Sequence, residues 1–174
     1  MAASSFLVAV QVRAARIAAG PSAVRGQGAG CAKAGRIFLG SLDLKRFASK
    51  SDKAFRSSLD QVTSELQAAL PKKSRSWGLA RKLLNIFLRD ALYTSYLKEA
   101  YQLDKIEQYL EIPLDSITAG NVKRAAGRGA LPVWPGVKHL RMDLSDRMQS
   151  AASKEALVIG THRVHLDTYW WGLR

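Results

Sequence analysis

One stretch of the chain, Trp77 to Tyr93, restricts the fold more than any other because it has two chemically different sides. At about 3.6 residues per turn, its apolar residues fall on one stripe of a helix, whereas Lys82, Asn85 and Arg89 fall on the opposite side. The apolar stripe consists of Ala80, Leu83, Leu84, Phe87, Leu88 and Ala91. The pattern predicts a helix that packs one side against a core and meets a negatively charged partner with the other.

The segment that leads into this helix is cationic. Residues 71–76 supply three cations, and no acid occurs between Glu65 and Asp90. The whole chain carries a net charge of +13, which indicates an anionic partner. Nucleic acid is favoured over a membrane surface, because no strongly amphipathic lipid-binding segment stands out. A solvated basic face is the alternative. The residues expected to contact DNA phosphates are Lys72, Lys73, Arg75 and Arg81.

The rest of the sequence predicts an all-α fold in a single domain covering residues 1–174. No segment shows sustained two-residue alternation, and no internal repeat is visible. Residues 1–20 are expected to be either flexible or a separate N-terminal helix. Helices are predicted at residues 6–19, 32–40, 51–70, 77–101, 104–110, 115–126, 144–157 and 164–173.

The counts of cysteine and histidine argue against several kinds of site. A single cysteine, Cys31, excludes an internal disulfide and a multi-cysteine zinc site. With only three histidines, we expect no metal. We also expect that the protein needs no cofactor and is a monomer.

The amino-terminal composition leaves the location of the protein open. The first 42 residues contain five cations and no acid, as organellar transit peptides do. Gln11, Arg13 and Arg16 interrupt the apolar run, so no membrane span is predicted there. We expect a cytoplasmic, nucleoid-associated protein, with organellar targeting as the alternative.

A glycine-rich loop occupies residues 23–30. It lacks the Gly-Lys-Ser/Thr ending and the preceding strand of a phosphate-binding loop. A backbone rich in glycine can approach a ligand closely, and Gln27 offers a donor and acceptors. A flexible connector is the alternative interpretation.

Two residues suggest covalent chemistry on a sugar. Lys82 lies on a helix beside cations, which favour the neutral amine that a lysine nucleophile needs. Asp115 follows Pro113 and precedes a new helix, where an aspartate is a natural N-cap. A rigidly held carboxylate could also stabilise positive charge on a sugar ring. The sequence alone does not establish that these two residues meet.

A second combination suggests recognition of a base. In RVHLDTYWWGLR, Asp167 precedes Trp170 and Trp171, and a residue four positions later lies on the same helical face. An aromatic ring beside a carboxylate suits a purine, since the ring stacks and the carboxylate accepts base N–H groups. Packing in the core is the alternative for either tryptophan.

Three blocks of the chain, in this order, resemble the archaeal 8-oxoguanine DNA glycosylase branch of the helix-hairpin-helix glycosylases. ARKLLNIFLRD resembles the helix that carries the family's Schiff-base lysine and a second basic residue seven positions later, here Lys82 and Arg89. EIPLDSIT resembles the Ile-Pro-x-x-Asp block, with the catalytic aspartate at Asp115. VHLDTYWW resembles the His-Leu-Asp helix, whose aspartate and following tryptophan touch the damaged base, here Asp167 and Trp171.

The resemblance implies a helix-hairpin-helix glycosylase-like fold and a DNA repair enzyme with glycosylase and AP-lyase activity. Such an enzyme excises an oxidised purine, similar to 8-oxoguanine, from double-stranded DNA. Lys82 would attack the sugar, and Asp115 would stabilise its positive charge. The residues expected to bind the base are Asp167, Trp171, Arg89 and Gln27.

Two other classes of function remain open at the sequence level. A non-catalytic nucleic-acid-binding protein of the same fold would explain the charge equally well. A module that binds a protein partner through exposed aromatics would explain Trp134 and Trp170, but it does not explain the net charge of +13.

Overall fold

The structure is a computed structural model that describes residues 2–48 and 51–172. Within these residues the secondary structure is helical throughout and contains no strand, which confirms the predicted all-α class. The α-helices are α1 (Ala2–Ala18), α2 (Cys31–Gly40), α3 (Asp52–Ala69), α4 (Trp77–Tyr93), α5 (Ser95–Tyr101), α6 (Ser116–Ala126), α7 (Met142–Ile159) and α8 (Leu166–Gly172). Short 3-10 helices cover Leu44–Phe47, Lys72–Ser74, Leu103–Tyr109, Val137–His139 and Arg163–His165.

Helix α4 is enclosed on nearly all sides. It begins after Ser76, whose hydroxyl accepts a hydrogen bond from the backbone N–H of Leu79 as an N-cap. All six residues of the predicted apolar stripe are buried, as expected. The polar side is buried as well, with Arg81, Lys82 and Asn85 exposed by only 3%, 8% and 2%. The polar side of α4 therefore does not face bulk solvent, as the polar side of a surface helix would. Two of its residues, Lys82 and Arg89, line a pocket instead.

Helix α1 is part of the main core, which corrects the expectation that residues 1–20 are flexible or separate. Ala14 and Ala15 are buried in the same apolar cluster as the stripe of α4. The Gln11 side-chain amide donates to the backbone carbonyls of Leu39 at 3.1 Å and Leu42 at 2.7 Å. A buried amide with two acceptors fixes α1 against the end of α2.

A second, smaller core forms in the C-terminal part of the chain from α6, α7, α8 and the segments next to them. Its buried members are Ile112, Leu114, Ala119, Val122, Leu140, Met148, Ala152, Ala156 and Leu166.

Gly78 lies where the first turn of α4 contacts the segment before α7. A Cβ at this position would lie 2.2 Å from the carbonyl oxygen of Val137 and 2.7 Å from Cβ of Leu140. Because glycine has no side chain, the first turn of α4 can lie directly on the 137–140 segment.

Several predicted boundaries differ from the observed ones. The helix predicted over 77–101 is interrupted at Thr94, where the backbone is extended and the hydroxyl donates to the Asp90 carbonyl at 2.8 Å. Such a bond to the carbonyl four residues earlier competes with regular helix geometry. The helix predicted over residues 104–110 is a 3-10 helix over Leu103–Tyr109. The last helix starts at Leu166, and its predicted end at residue 173 lies outside the described residues.

In the part of the chain that the structure describes, no helix combines the length and the apolar character needed to cross a bilayer.

Candidate functional site

A pocket of about 880 Å³ lies where the two cores meet. Its walls come from the end of α1, the glycine-rich loop, α4, the first turn of α6, residues 134–137 and α8. Six residues that the sequence singled out line it: Gln27, Lys82, Arg89, Asp115, Asp167 and Trp171. The fold therefore brings together positions from both ends of the chain. The volume is within the range of about 300–1,000 Å³ typical of ligand pockets.

Lys82 reaches the pocket from the polar side of α4. Its Nζ donates to the Ala23 carbonyl at 3.1 Å and lies 3.7 Å from Oδ2 of Asp115. Most of the side chain is covered by protein. The amine is thus held by the glycine-rich loop on one side and by a carboxylate on the other. The sequence could not decide whether Lys82 and Asp115 meet, and in the structure they do.

Asp115 uses its two carboxylate oxygens differently. Oδ1 caps α6 by accepting the backbone N–H groups of Ile117 at 2.9 Å and Thr118 at 3.0 Å. The Thr118 hydroxyl in turn accepts the backbone N–H of Asp115, which completes a capping box. Oδ2 is the oxygen that faces Lys82. The N-cap role predicted from the sequence is therefore confirmed, and the cap holds a negative charge beside the amine.

Arg89 and Asp167 form an ion pair that ties α4 to α8 across the pocket wall. Arg89 also contacts Oδ1 of Asp90, at 3.3 Å from Nε and 3.2 Å from Nη2. A base that binds here would meet a carboxylate already engaged by a guanidinium. Arg89 therefore orients Asp167 as well as contributing its own donors.

Sequence reasoning missed Asp90, which also lines the pocket. Its Oδ2 is buried without a hydrogen-bond partner. Burial raises the pKa of the Asp90 carboxyl, and the charge of Arg89 partly opposes this effect. Its position next to Arg89 in a helix gave no sign that both side chains reach the same cavity.

The tryptophans divide between the pocket and the core. Trp171 lines the pocket and is 64% exposed, whereas Trp170 packs against the second core. Of the two candidates paired with Asp167, the structure thus places Trp171 in the pocket. Trp134, which the sequence suggested as an exposed aromatic for a protein partner, is half-buried, packs on the second core and lines the pocket.

Gln27 lies in the pocket wall on the glycine-rich loop. Its side-chain Oε1 is buried without a hydrogen-bond partner. A buried acceptor without a donor is energetically unfavourable. A ligand N–H group that reached this oxygen would satisfy it.

Arg81 does not fit its predicted role as a phosphate contact. It is 3% exposed, and its guanidinium donates to Thr63 Oγ1 at 2.8 Å and to Asp60 Oδ1 at 2.5 Å. Its Nε lies 3.0 Å from Oε2 of Glu111, as an ion pair not aligned for a hydrogen bond. The prediction is corrected because two acids distant in the sequence, the buried Glu111 and the half-buried Asp60, neutralise this cation inside the fold.

Two segments that contain no acid carry exposed basic residues outside the pocket. The first is the predicted one, where Lys72, Lys73 and Arg75 are exposed. The second was not predicted: residues 116–142 contain five Lys or Arg residues and no acid. Four of these five side chains are exposed, namely Arg124, Arg128, Lys138 and Arg141. This second segment also contributes Trp134 and its neighbours to the pocket, so positive charge lies at the rim.

Within residues 2–48 and 51–172, no group of three or more metal-ligating side chains is arranged to hold a metal ion. No protein-family model, curated protein or solved structure shows significant similarity to the chain.

Proposed function

We propose that the protein is a DNA glycosylase with AP-lyase activity that excises an oxidised purine through a lysine imine. One observation carries the proposal: the Lys82 amine lies 3.7 Å from a carboxylate oxygen of Asp115 inside a pocket of about 880 Å³. A helix-hairpin-helix glycosylase-like arrangement of α3, the Lys72–Ser74 turn and α4 belongs to the same proposal.

The reaction starts with a nucleotide turned out of the duplex into the pocket, at an unstacking cost of a few kcal/mol. The Lys82 amine, after giving up a proton, attacks C1′ of the sugar. The glycosidic bond breaks, and the base leaves with the bonding electron pair and takes up the proton that Nζ loses after it bonds to C1′. Asp115 stabilises the positive charge that develops on the sugar.

Strand cleavage follows from the imine. Opening of the sugar ring leaves C1′ joined to Lys82 Nζ as an imine. Loss of a proton from C2′ and breakage of the C3′–O bond then release the 3′ phosphate. The amine and the carboxylate thus act on one carbon, and no cofactor enters the reaction.

Acceptor groups in the pocket support an oxidised purine as the ligand. Gln27 Oε1 lacks a donor, and the Asp167 carboxylate and the exposed Trp171 line the same pocket. Guanine presents lone pairs at N7 and O6, whereas 8-oxoguanine carries a hydrogen at N7. An acceptor aimed at N7 therefore favours the oxidised base, and stacking on an aromatic ring adds about 1–3 kcal/mol per base.

The decisive experiment is borohydride trapping on a duplex that contains oxidised guanine. Borohydride reduces an imine to a permanent protein–DNA bond. Lys82→Gln keeps a polar side chain and removes the nucleophile, so we expect trapping and strand cleavage to disappear while duplex binding persists. Lys105→Gln is the matched control, because Lys105 is exposed and lies outside the pocket.

Asp115→Asn separates chemistry from folding in the same assay. The asparagine oxygen can still cap α6, so we expect the melting temperature to change little while excision slows by about 10²-fold or more. Trapping that persists in Lys82→Gln would assign the imine to another residue.

A non-catalytic nucleic-acid-binding protein is the second candidate. The observation that favours it is the contact of Lys82 with the Ala23 carbonyl and Asp115, which also suits a charged lysine that only anchors the loop. Absence of trapping by the wild-type protein on oxidised-guanine duplexes with each opposing base, together with intact duplex binding, would support this candidate.

A further inference from the structure

A hydrogen-bonded series of three side chains, which the proposed reaction does not use, starts at the pocket wall with Tyr93. Tyr93, the last residue of α4, lines the pocket. Its hydroxyl lies 2.8 Å from Nδ1 of His165, and Nε2 of His165 lies 2.6 Å from Oε1 of Glu107. The tyrosine and histidine rings also stack, with centroids 5.6 Å apart and planes at 9°. Three separate elements therefore fix the position of the Tyr93 hydroxyl.

The partners determine where the hydrogens lie. An ionised Glu107 can only accept, so in a neutral imidazole the hydrogen is on Nε2 and Nδ1 carries a lone pair. The Tyr93 hydroxyl then donates to Nδ1, and its oxygen keeps only lone pairs for other partners. In a protonated imidazole, Nδ1–H donates to the Tyr93 oxygen instead. The phenol hydrogen is then free to point elsewhere, so the charge of His165 sets the role of the hydroxyl.

Few other polar groups surround this series. The Thr168 hydroxyl lies 3.3 Å from the Tyr93 hydroxyl and can serve as donor or acceptor. The ring centroid of His162 lies 6.4 Å from that of His165. Asp167, two residues after His165, is paired with Arg89.

The remaining nearby cation, Arg163, points away from the series. Its guanidinium donates to the backbone carbonyls of Tyr109 at 2.7 Å and Leu110 at 2.9 Å. Glu107 is therefore the one charged side chain that contacts the imidazole among the described residues.

We propose that Tyr93 is a specificity-determining residue of the pocket and that His165, held by Glu107, sets its hydrogen-bonding role. With neutral His165 the hydroxyl accepts an N–H group of the bound base. With protonated His165 the Tyr93 hydroxyl donates its hydrogen and selects a base that presents a lone pair instead. The identity of the ligand rests on the proposed function. Because oxidised guanine carries N–H at a position where guanine has a lone pair, discrimination between the two should fall as His165 becomes charged.

The test compares affinities of the full-length protein for matched duplexes with oxidised or normal guanine, in a pH series from about 5 to 8. In the wild-type protein, we expect the affinity ratio to rise with pH. Tyr93→Phe removes one hydrogen bond, so the ratio at high pH should fall by about 2- to 12-fold, and its pH dependence should flatten. His165→Asn keeps an amide near the position of Nδ1 but does not titrate, so it should also flatten the profile.

Tyr169→Phe is the control, since Tyr169 is similarly exposed and lies outside the pocket. If Tyr93→Phe and His165→Asn lower only the melting temperature and leave the affinity ratio and its pH profile unchanged, the series only stabilises the fold and the proposal is overturned.

Borohydride trapping on the same samples separates this inference from the proposed function. A wild-type protein that traps, with Tyr93→Phe unaffected in discrimination, refutes this inference alone. A wild-type protein that discriminates but does not trap refutes only the proposed chemistry. Equal binding of both duplexes at every pH refutes this inference, and equal binding without trapping refutes both proposals.

Discussion

Asp90 carries a charge that its surroundings compensate only in part. Arg89 contacts Oδ1, while Oδ2 is buried without a partner. Because burial raises the pKa of the Asp90 carboxyl above its ordinary value, the folded state binds a proton more tightly than the unfolded state does. The charged form therefore lowers the free energy of unfolding above the folded pKa. This loss is recovered as the pH falls through the folded pKa towards the ordinary value.

Asp90→Asn should accordingly stabilise the protein at neutral pH. We expect the melting temperature at pH 7 to rise by about 2–4 °C, the shift for roughly 1 kcal/mol in a chain of this size. The difference from the wild type should shrink as the pH is lowered through the raised pKa. Thermal denaturation followed by circular dichroism measures both effects, with the exposed Asp104→Asn as control. A lower melting temperature for Asp90→Asn at pH 7 would show that the contact with Arg89 outweighs the burial.

At the scale of the element, α4 depends on charges that the fold neutralises internally. Arg81 lies over the Trp77 ring, 5.0 Å from its centroid, and pairs with Asp60 and Glu111. Glu111 also accepts the side-chain amide of Asn85 at 3.0 Å. Since Glu111 is 2% exposed, removing Arg81 would leave a buried carboxylate without its ion pair.

Arg81→Ala should therefore destabilise the protein by about 3–5 kcal/mol, the usual loss when one partner of a buried pair is removed. Urea denaturation would measure it, and the exposed Arg75→Ala should leave the transition nearly unchanged. If Arg81→Ala instead weakened DNA binding and kept the unfolding midpoint, the phosphate contact first expected from the sequence would be reinstated.

The periodicity of α4 also shows how far the sequence could be read. The apolar stripe of α4 follows from helical periodicity, and the Asp115 cap of α6 follows from the preference of helix N-termini for aspartate. The structure has both. Arg81 was misread because the nearby sequence is cationic, whereas the acids that neutralise it are distant in the chain. Trp134 and Tyr93 were missed as pocket residues because one lies in an aperiodic loop and the other at a helix end. Tertiary packing alone decided their surroundings.

At the scale of the molecule, segments 71–76 and 116–142 carry three and five Lys or Arg residues and no acid. If both hold phosphates, Lys73→Ala and Arg128→Ala should each weaken binding to damaged and undamaged duplexes equally. Each should also reduce the slope of log affinity against log salt by about one unit. Lys105→Ala, between Asp104 and Glu107, should leave the slope unchanged. Fluorescence anisotropy over a salt series measures all three, and a loss confined to damaged DNA would assign these residues to base recognition.

The width of the pocket depends on the contact at Gly78. The first turn of α4 lies on the backbone of Val137, and Val137 itself lines the pocket. A single methyl group at position 78 would have to push that backbone outward, and the segment bearing Trp134 and Gly136 would move with it. The width of the opening available to a ligand thus depends on the lack of a Cβ atom at position 78. In descent, one glycine codon changed to alanine would be a short route to a pocket of different shape, with Lys82 and Asp115 left as they were.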